Sequence, residues 1–327
     1  MVRIALIKTS SMGDVIHTLP VVSDIVAALP ETEIDWIVEE SFSDLPRLHP
    51  AVAEVVPVAI RRWRRALGRG STWSEIRAVR ARLRERHYDL AIDLQGLLKS
   101  ALVSRWTKAP VAGFSRACAR EPLASLAYRH TFDVDMGAHA IERLRALAAQ
   151  ALGYRIDAPP SFGLVAPALA LTWRPWGPYV VLLHATSRAE KQWPRDHWIA
   201  LGADLARRRL AVILPWGSAS ELEEAQRLAE GIGEGACVAP ALSLAQCSRM
   251  LDDAVAVVGV DTGLTHLAAA LDVPTVALFA ATPAWRFGPY WNPRARSLGA
   301  DGVWPDVPEV EQALGEVAAV VRADGAL

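Results

Sequence analysis

Val257-Val258-Gly259-Val260-Asp261-Thr262-Gly263-Leu264-Thr265-His266-Leu267-Ala268-Ala269-Ala270 decides how the rest of the chain is read. Ala254 to Val260 is almost wholly apolar and rich in valine, which predicts a buried strand. Leu264, Leu267 and Leu271 recur at helical spacing among alanines, which predicts a helix directly after it. Asp261-Thr262-Gly263 is the turn between the two. A strand entering a helix through a glycine-containing turn leaves backbone N–H groups and the positive end of the helix dipole facing one crevice. Thr262 and Thr265 add hydroxyls there, and His266 adds a ring N–H. The turn is therefore a candidate cradle for the phosphates of a nucleotide-sugar. The plainer alternative is an ordinary capped helix in an α/β domain.

Outward from this stretch the same alternation repeats. Strands are predicted at Arg3 to Lys8, Glu33 to Val38, Val52 to Val58, Tyr88 to Leu94 and Val111 to Gly113. Helices are predicted over Val15 to Leu29, with a kink at Pro20, and over Trp73 to His87, Glu121 to Tyr128 and Ala138 to Leu152. Tyr154 to Tyr179 carries five prolines and no periodicity, so the domain junction is placed there. A second series follows, with strands at Val180 to His184, Leu210 to Leu214, Ala254 to Val260 and Thr275 to Phe279. Its helices are predicted at Asp196 to Arg207, Glu221 to Glu230, Ser243 to Leu251, Leu264 to Leu271 and Val307 to Val321. Two such series predict an α/β protein of two doubly wound domains, 1–160 and 161–327. The last helix has the option of packing back on the first domain. Ligands in such sheets sit beyond the carboxyl ends of the strands, so the loops that follow strands carry the chemistry.

Length and composition agree. At 327 residues the chain has room for two cores, and 52% hydrophobic with 22% charged residues describes a soluble globular protein. No apolar run approaches a membrane span, and Ile4 to Ile7 is too short for a secretory leader. Cys118, Cys237 and Cys247 show no metal-ligand spacing, which points to a reducing cytoplasm. The net charge of −1 conceals an asymmetry, with +4 over residues 1–150 and −5 over the remainder. Residues 61–86 hold ten arginines against Glu75 and Glu85. A polyanion or an anionic membrane surface is thus a candidate partner of the first half, against the alternative of a solvated helix face.

Several chemistries are disfavoured. No G-x-G-x-x-G follows the first strand, and no Walker A loop or G-x-S-x-G elbow occurs. The histidines form no H-x-x-x-H pair, and Asp133-Val134-Asp135 has no third ligand nearby in sequence, so no metal is expected. What remains suits transfer of a sugar off a diphosphate. Asp14, after the turn that follows the first strand, is placed to accept a proton from an acceptor hydroxyl, unless it is simply a helix N-cap. Lys191 and the 261–266 helix start can meet the charge growing on a leaving diphosphate.

Seven segments together resemble one family, the ADP-heptose:lipopolysaccharide heptosyltransferases. They are Lys8-Thr-Ser-Ser-Met-Gly-Asp-Val-Ile-His-Thr-Leu-Pro20, Val58-Ala-Ile-Arg-Arg-Trp-Arg-Arg65, Asp93-Leu-Gln-Gly-Leu-Leu-Lys-Ser100, Arg120-Glu-Pro-Leu-Ala-Ser125, His184-Ala-Thr-Ser-Arg-Ala-Glu-Lys-Gln-Trp-Pro194, Pro215-Trp-Gly217 and Val260-Asp-Thr-Gly-Leu-Thr-His-Leu267. The basic run and the H-A-T-S-R…K-x-W-P form sit nearest to those members that add the first heptose of the inner core.

The resemblance implies the GT-B fold, two facing Rossmann-like domains with an interdomain cleft, and an inverting, metal-independent glycosyl transfer without a cofactor. It implies ADP-L-glycero-β-D-manno-heptose as donor to the C-terminal domain and the Kdo of Kdo2-lipid A as acceptor at the N-terminal domain. By position, Asp14 matches the general base, and Lys191 the lysine at the donor phosphate with Thr186 and Ser187 beside it. Asp261, Thr262, Gly263 and His266 match the donor turn, and Glu221 an acid on the nucleotide side. Arg61, Arg62, Arg64 and Arg65 match the segment offered to the acceptor's anionic groups, with Lys99, Arg120 and His139 as further candidates. Trp63 is either a membrane-level aromatic or a core residue. A cytoplasmic protein peripheral to the inner membrane's anionic inner leaflet follows from the same reading. Two rivals stay open: a transferase of the same fold using another nucleotide-sugar, and a nucleic-acid-binding protein acting through residues 61–86, although no nucleic-acid partner is expected.

Overall fold

A computed structural model describes residues 2–186, 188–300 and 302–323. They form two compact units, Met1–Val165 and Ala166–Leu327. The first unit reaches a few residues past the predicted junction because the Val165 N–H bonds the Leu48 carbonyl at 2.9 Å.

In the first unit, strands β1 (Val2–Ile7), β2 (Thr32–Glu39), β3 (Val52–Val58), β4 (Leu90–Asp93), β5 (Val111–Phe114) and β6 (His130–Phe132) make one sheet in the order β3-β2-β1-β4-β5-β6. Every pairing is parallel. Its helices are α1 (Met12–Ile16), α2 (Leu19–Ala28), α3 (Asp44–Arg47), α4 (Ile60–Arg65), α5 (Gly70–Glu85), α6 (Leu98–Ser104) and α7 (Ala140–Leu152). Ile4 to Ile7 are wholly buried, as expected of a central parallel strand covered on both faces. Pro20 divides the first predicted helix in two. It sits in the first turn of α2, where its missing N–H costs nothing. Arg145 on α7 is 2% exposed and grips Asp24 on α2 through two bonds of 2.7 and 2.9 Å, which fixes the two helices on one face of the sheet.

The second unit repeats the plan. Strands β7 (Tyr179–Leu183), β8 (Ala211–Leu214), β9 (Ala236–Val238), β10 (Ala256–Val260), β11 (Thr275–Leu278) and β12 (Ala295–Leu298) run in the order β12-β11-β10-β7-β8-β9, again all parallel. Numbered within its own unit, each sheet has the order 3-2-1-4-5-6, that of a doubly wound dinucleotide-binding sheet. The helices are α8 (Arg195–Arg207), α9 (Ala219–Ile232), α10 (Leu244–Asp252), α11 (Gly263–Ala270), α12 (Ala284–Phe287) and α13 (Val307–Ala323). On α13, Val310, Ala313, Leu314 and Val317 pack with Val258, Val276 and Leu278 of the same unit.

Three strands escape the sequence pattern, β6, β9 and β12, and all three lie at a sheet edge. Each has three or four residues and is incompletely buried, so none presents the continuous apolar run that reveals an inner strand. Residues 61–65 are helical, and Glu121 to Tyr128, predicted as a helix, is a 3-10 turn at Pro122–Ala127.

Candidate functional site

Each sheet has a switch point where the strand order reverses, between β1 and β4 in the first unit and between β7 and β10 in the second. Polar side chains gather at both, as the rule for open α/β sheets requires.

At the first, the loops after β1 and β4 are tied together. The Gln95 amide oxygen accepts from the Thr9 N–H at 2.8 Å and the Thr9 hydroxyl at 2.6 Å, and its nitrogen donates to the Ser10 carbonyl at 3.0 Å. Asp93 lies beneath this link, fully buried. Burial raises its proton affinity, while the Gln95 N–H (2.9 Å) and the Tyr128 hydroxyl (2.8 Å) supply its oxygens with partners. Gly113 makes room for that tyrosine, since a Cβ there would fall 2.5 Å from the ring.

Asp14 is not the cap of α1. Ser11 is the N-cap, and Asp14 sits at the third position with its Oδ2 turned back to the Ser11 N–H (3.0 Å) and hydroxyl (2.7 Å). Its Oδ1 lies 3.9 Å from the Lys8 ammonium, and the side chain is 36% exposed. Burial pushes the Asp14 carboxyl up, but Lys8 and the two Ser11 bonds outweigh it and hold it below the ordinary carboxylate range. Lys8 is itself buried and donates to the Leu94 carbonyl at 2.9 Å. Burial lowers its proton affinity, and Asp14 and Asp93 pull the other way. The result is an ionised carboxylate with one oxygen held and the other open.

Cations surround this point. Lys99 donates to the Ser10 hydroxyl at 2.8 Å; burial lowers its proton affinity, and Arg61, Arg120 and Arg64 lie close enough to lower it further. Arg120 and Arg143 act on Lys8 in the same sense. His139 caps α7, accepting from the Ile141 N–H at 3.2 Å, and its ring meets His17 edge-on at 5.8 Å. The predicted acceptor residues Arg61, Arg64, Lys99, Arg120 and His139 thus share one region. Arg65 is exposed on the same helix as Arg61 and Arg64. Arg62 is already paired, its guanidinium donating to Glu40 (3.1 and 3.0 Å) and Glu75 (3.0 Å). Trp63 is a core residue, 5% exposed, with its indole N–H on Glu75 at 2.8 Å. The exposed aromatic of this segment is Trp73. Arg82 and Arg86 are also paired with acids, so the arginine density that suggested a nucleic-acid surface is partly neutralised at home.

At the second switch point, Lys191 bridges from the β7 loop to the β10 turn. Its ammonium lies 2.6 Å from Asp261 Oδ2, which also accepts from the Thr282 hydroxyl, while Oδ1 meets His266 Nε2 at 3.1 Å. Burial raises the Asp261 carboxyl, but His266, Lys191 and Thr282 together hold it far below the usual range. Thr262 is the N-cap of α11, and its hydroxyl makes no capping bond. The N–H groups of Gly263 and Leu264 fall in the first turn, where the helix itself supplies no acceptor. Thr265 does not face a ligand. Its hydroxyl donates to the Val260 carbonyl at 2.7 Å, in space that Gly259 leaves by having no Cβ. Thr186 is half-buried after β7, and Ser187 lies outside the described residues. Glu221 stands in the first turn of α9, and its Oε2 accepts from the Gly217 N–H at 2.7 Å.

Sequence reasoning gave no role to Lys8, His17, Gln95, Arg143 or Thr282. Lys8 has a signal, a charge at the end of a buried strand. Asp133 and Asp135 serve separate turns, bonding Ser115 and Gly137. Among the described residues no three His, Cys, Asp or Glu side chains gather closely enough to hold a metal ion.

Comparison with known proteins adds the following. Residues 76–312 match the model of glycosyltransferase family 9 (heptosyltransferase). The chain is 50% identical over 301 residues to lipopolysaccharide heptosyltransferase 1 of Pseudomonas aeruginosa, covering 91% of this chain and 84% of that one. It superposes on Escherichia coli heptosyltransferase WaaC with ADP at a TM-score of 0.89 and 40% identity, covering 96% of this chain and 99% of that one. With WaaC bound to ADP-2-deoxy-2-fluoro heptose the TM-score is 0.83, at the same identity and coverage.

Proposed function

This chain belongs to glycosyltransferase family 9, the heptosyltransferases, and from that premise we propose how its residues divide the work. It is a heptosyltransferase of the GT-B fold acting in lipopolysaccharide core biosynthesis. The donor in our reading is ADP-L-glycero-β-D-manno-heptose, because the solved relatives hold ADP and an ADP-heptose analogue. The acceptor is the Kdo of Kdo2-lipid A.

The step is a single displacement. The acceptor hydroxyl oxygen bonds the anomeric carbon, the bond from that carbon to the diphosphate oxygen breaks, and ADP leaves with the electron pair. The hydroxyl proton passes to Asp14 Oδ1, and the anomeric configuration inverts. Lys191, the Thr262 hydroxyl and the first N–H groups of α11 meet the charge that grows on the diphosphate, so the reading requires no metal or cofactor. Asp261 and His266 position Lys191, Thr186 offers a hydroxyl from the same loop after β7, and Glu221 takes the nucleotide's ribose side. Arg61, Arg64, Arg65, Lys99 and Arg120 receive the acceptor's carboxylates and phosphates, with His139 beside them. Guanidinium forks suit such groups better than point charges. Arg62 instead braces α4. A chain working on a lipid-borne acceptor in this way acts at the cytoplasmic face of the inner membrane, whose anionic lipids attract the same cations.

The observation that carries the reading is the unequal treatment of the two Asp14 oxygens, one bonded to Ser11 and one open beside Lys8. Purified protein should convert ADP-heptose and Kdo2-lipid A to a product one heptose heavier by mass spectrometry. ADP should compete with donor better than UDP or GDP; a preference for UDP would remove the donor assignment.

A further inference from the structure

Leu98 and Leu102 stand four residues apart on α6, and Leu123 and Leu126 three apart on the 3-10 turn Pro122–Ala127. Those spacings put each pair on one face of its own element. The two elements pack together, and the Leu98 N–H bonds Glu121 Oε2 at 2.6 Å just before the turn. Ala101 and Ala124 are buried, yet the four leucines are 50, 59, 56 and 74% exposed. A clustered set of exposed large apolar side chains marks a surface that meets something apolar.

The charge around them says what. Between residues 98 and 129 the chain carries Lys99, Arg105, Lys108, Arg116, Arg120 and Arg129 against the single acid Glu121. Arg105 follows Leu102 by three residues, Arg129 follows Leu126 by three, and Arg120 precedes Leu123 by three. Arg105, Lys108, Arg116, Arg120 and Arg129 are all exposed. A second copy of the chain is a poor occupant, because a two-fold contact through this face would set the cations against themselves. An anionic lipid surface accepts both parts, with leucines at the acyl boundary and cations at the headgroups.

We propose that the face formed by α6 and the Pro122–Ala127 turn is a membrane-docking surface, inserting Leu98, Leu102, Leu123 and Leu126 into an anionic phospholipid bilayer. It is continuous with the acceptor side, since Lys99 on α6 bonds Ser10 in the loop leading to Asp14. The inference rests on the membrane-borne acceptor of the proposed function for its purpose, not for its geometry. It also differs from docking by the 61–65 arginines alone, which requires no leucine.

The test compares the full chain with a Leu102→Ser/Leu126→Ser variant. Both residues point to solvent, so the fold should survive, and circular dichroism checks that it does. Co-sedimentation with vesicles of phosphatidylethanolamine and 30% phosphatidylglycerol should fall at least tenfold in the variant. Heptose transfer to a deacylated, water-soluble acceptor should be equal in both. Equal vesicle binding by the two proteins overturns the proposal, as does failure of the parent to bind these vesicles. Leucine-dependent self-association in the ultracentrifuge with unchanged vesicle binding also overturns it, in favour of a second copy. Absence of transfer to the soluble acceptor by the parent sinks the proposed function instead, and leaves the vesicle result to be read by itself.

Discussion

Asp14 and Asp261 occupy equivalent places. Each follows an inner strand of a 3-2-1-4-5-6 sheet, beside the switch point, where the chain enters a helix. Each lies near a lysine, Lys8 in one unit and Lys191 in the other. The difference is in how the oxygens are used. Asp261 has Oδ2 on Lys191 and Thr282 and Oδ1 on His266. Asp14 has only Oδ2 bonded, and its lysine stands off at 3.9 Å. A carboxylate with both oxygens engaged is an anchor, while one held on a single side retains a site for a proton. One architecture thus gives opposite duties to the same residue type, and the neighbouring donors decide which.

The strongest way to break this comparison is Asp14→Asn. It keeps the shape and the Ser11 contact but cannot take a proton, so kcat should drop by about 10²-fold or more in a steady-state assay, with the protein still folded and its thermal unfolding lowered only by the lost attraction to Lys8. Near-normal turnover would place Asp14 with Asp261 as a structural group. Asp261→Ala should act the other way round. It leaves Lys191 and His266 without their shared partner, so donor KM should rise about tenfold. Stability should fall by about 2–3 kcal/mol in urea titration, less than for a fully buried pair because both groups retain some exposure. A loss of kcat at unchanged donor KM and stability would contradict the anchoring role.

Lys8→Met sharpens the contrast through pH. With the Asp14 carboxyl held below its ordinary value, the base form persists into acid, and activity should fall only below the usual carboxylate range. Removing the Lys8 charge raises the Asp14 carboxyl, so the acid limb of the kcat/KM profile should move to higher pH. A limb that stays in place would mean that Ser11 alone sets the ionisation. The same sign applies to stability at Asp261. Its folded-state value is depressed, so its contribution is complete above the unfolded value near 4 and is lost as the pH falls toward the folded one. The smallest effect belongs to Thr282→Val, which removes one of three donors to Asp261 and should cost about 1 kcal/mol with a minor change in donor KM.

Much of this organisation was legible in the chain. The valine-rich run before Asp261 and the alanine-rich helix after it were found from periodicity, as were eight further strands, because inner parallel strands are apolar throughout. The edge strands His130–Phe132, Ala236–Val238 and Ala295–Leu298 were not, since half-exposed strands of three or four residues carry no such signature. The basic run at 61–65 was plain, but not that Arg62 is consumed by Glu40 and Glu75, which lie 22 and 13 residues away. Trp63 and Trp73 look alike in sequence, and only packing made one a core residue and left the other exposed.

By itself the sequence determined the fold class, the family and the two turns where charge is handled. These follow from local periodicity, from glycine and proline placement and from motif wording, all of which are properties of neighbours along the chain. The tertiary structure decided which aspartate is open and which is tied down, and which arginines are spent on acids. It also decided that four leucines, on two elements that pack together, stay exposed. Those properties depend on partners brought together from distant parts of the chain, such as Lys191 with Asp261 or Gln95 with Thr9, and a hydrogen-bond donor 70 or 86 residues away leaves no trace in the local pattern.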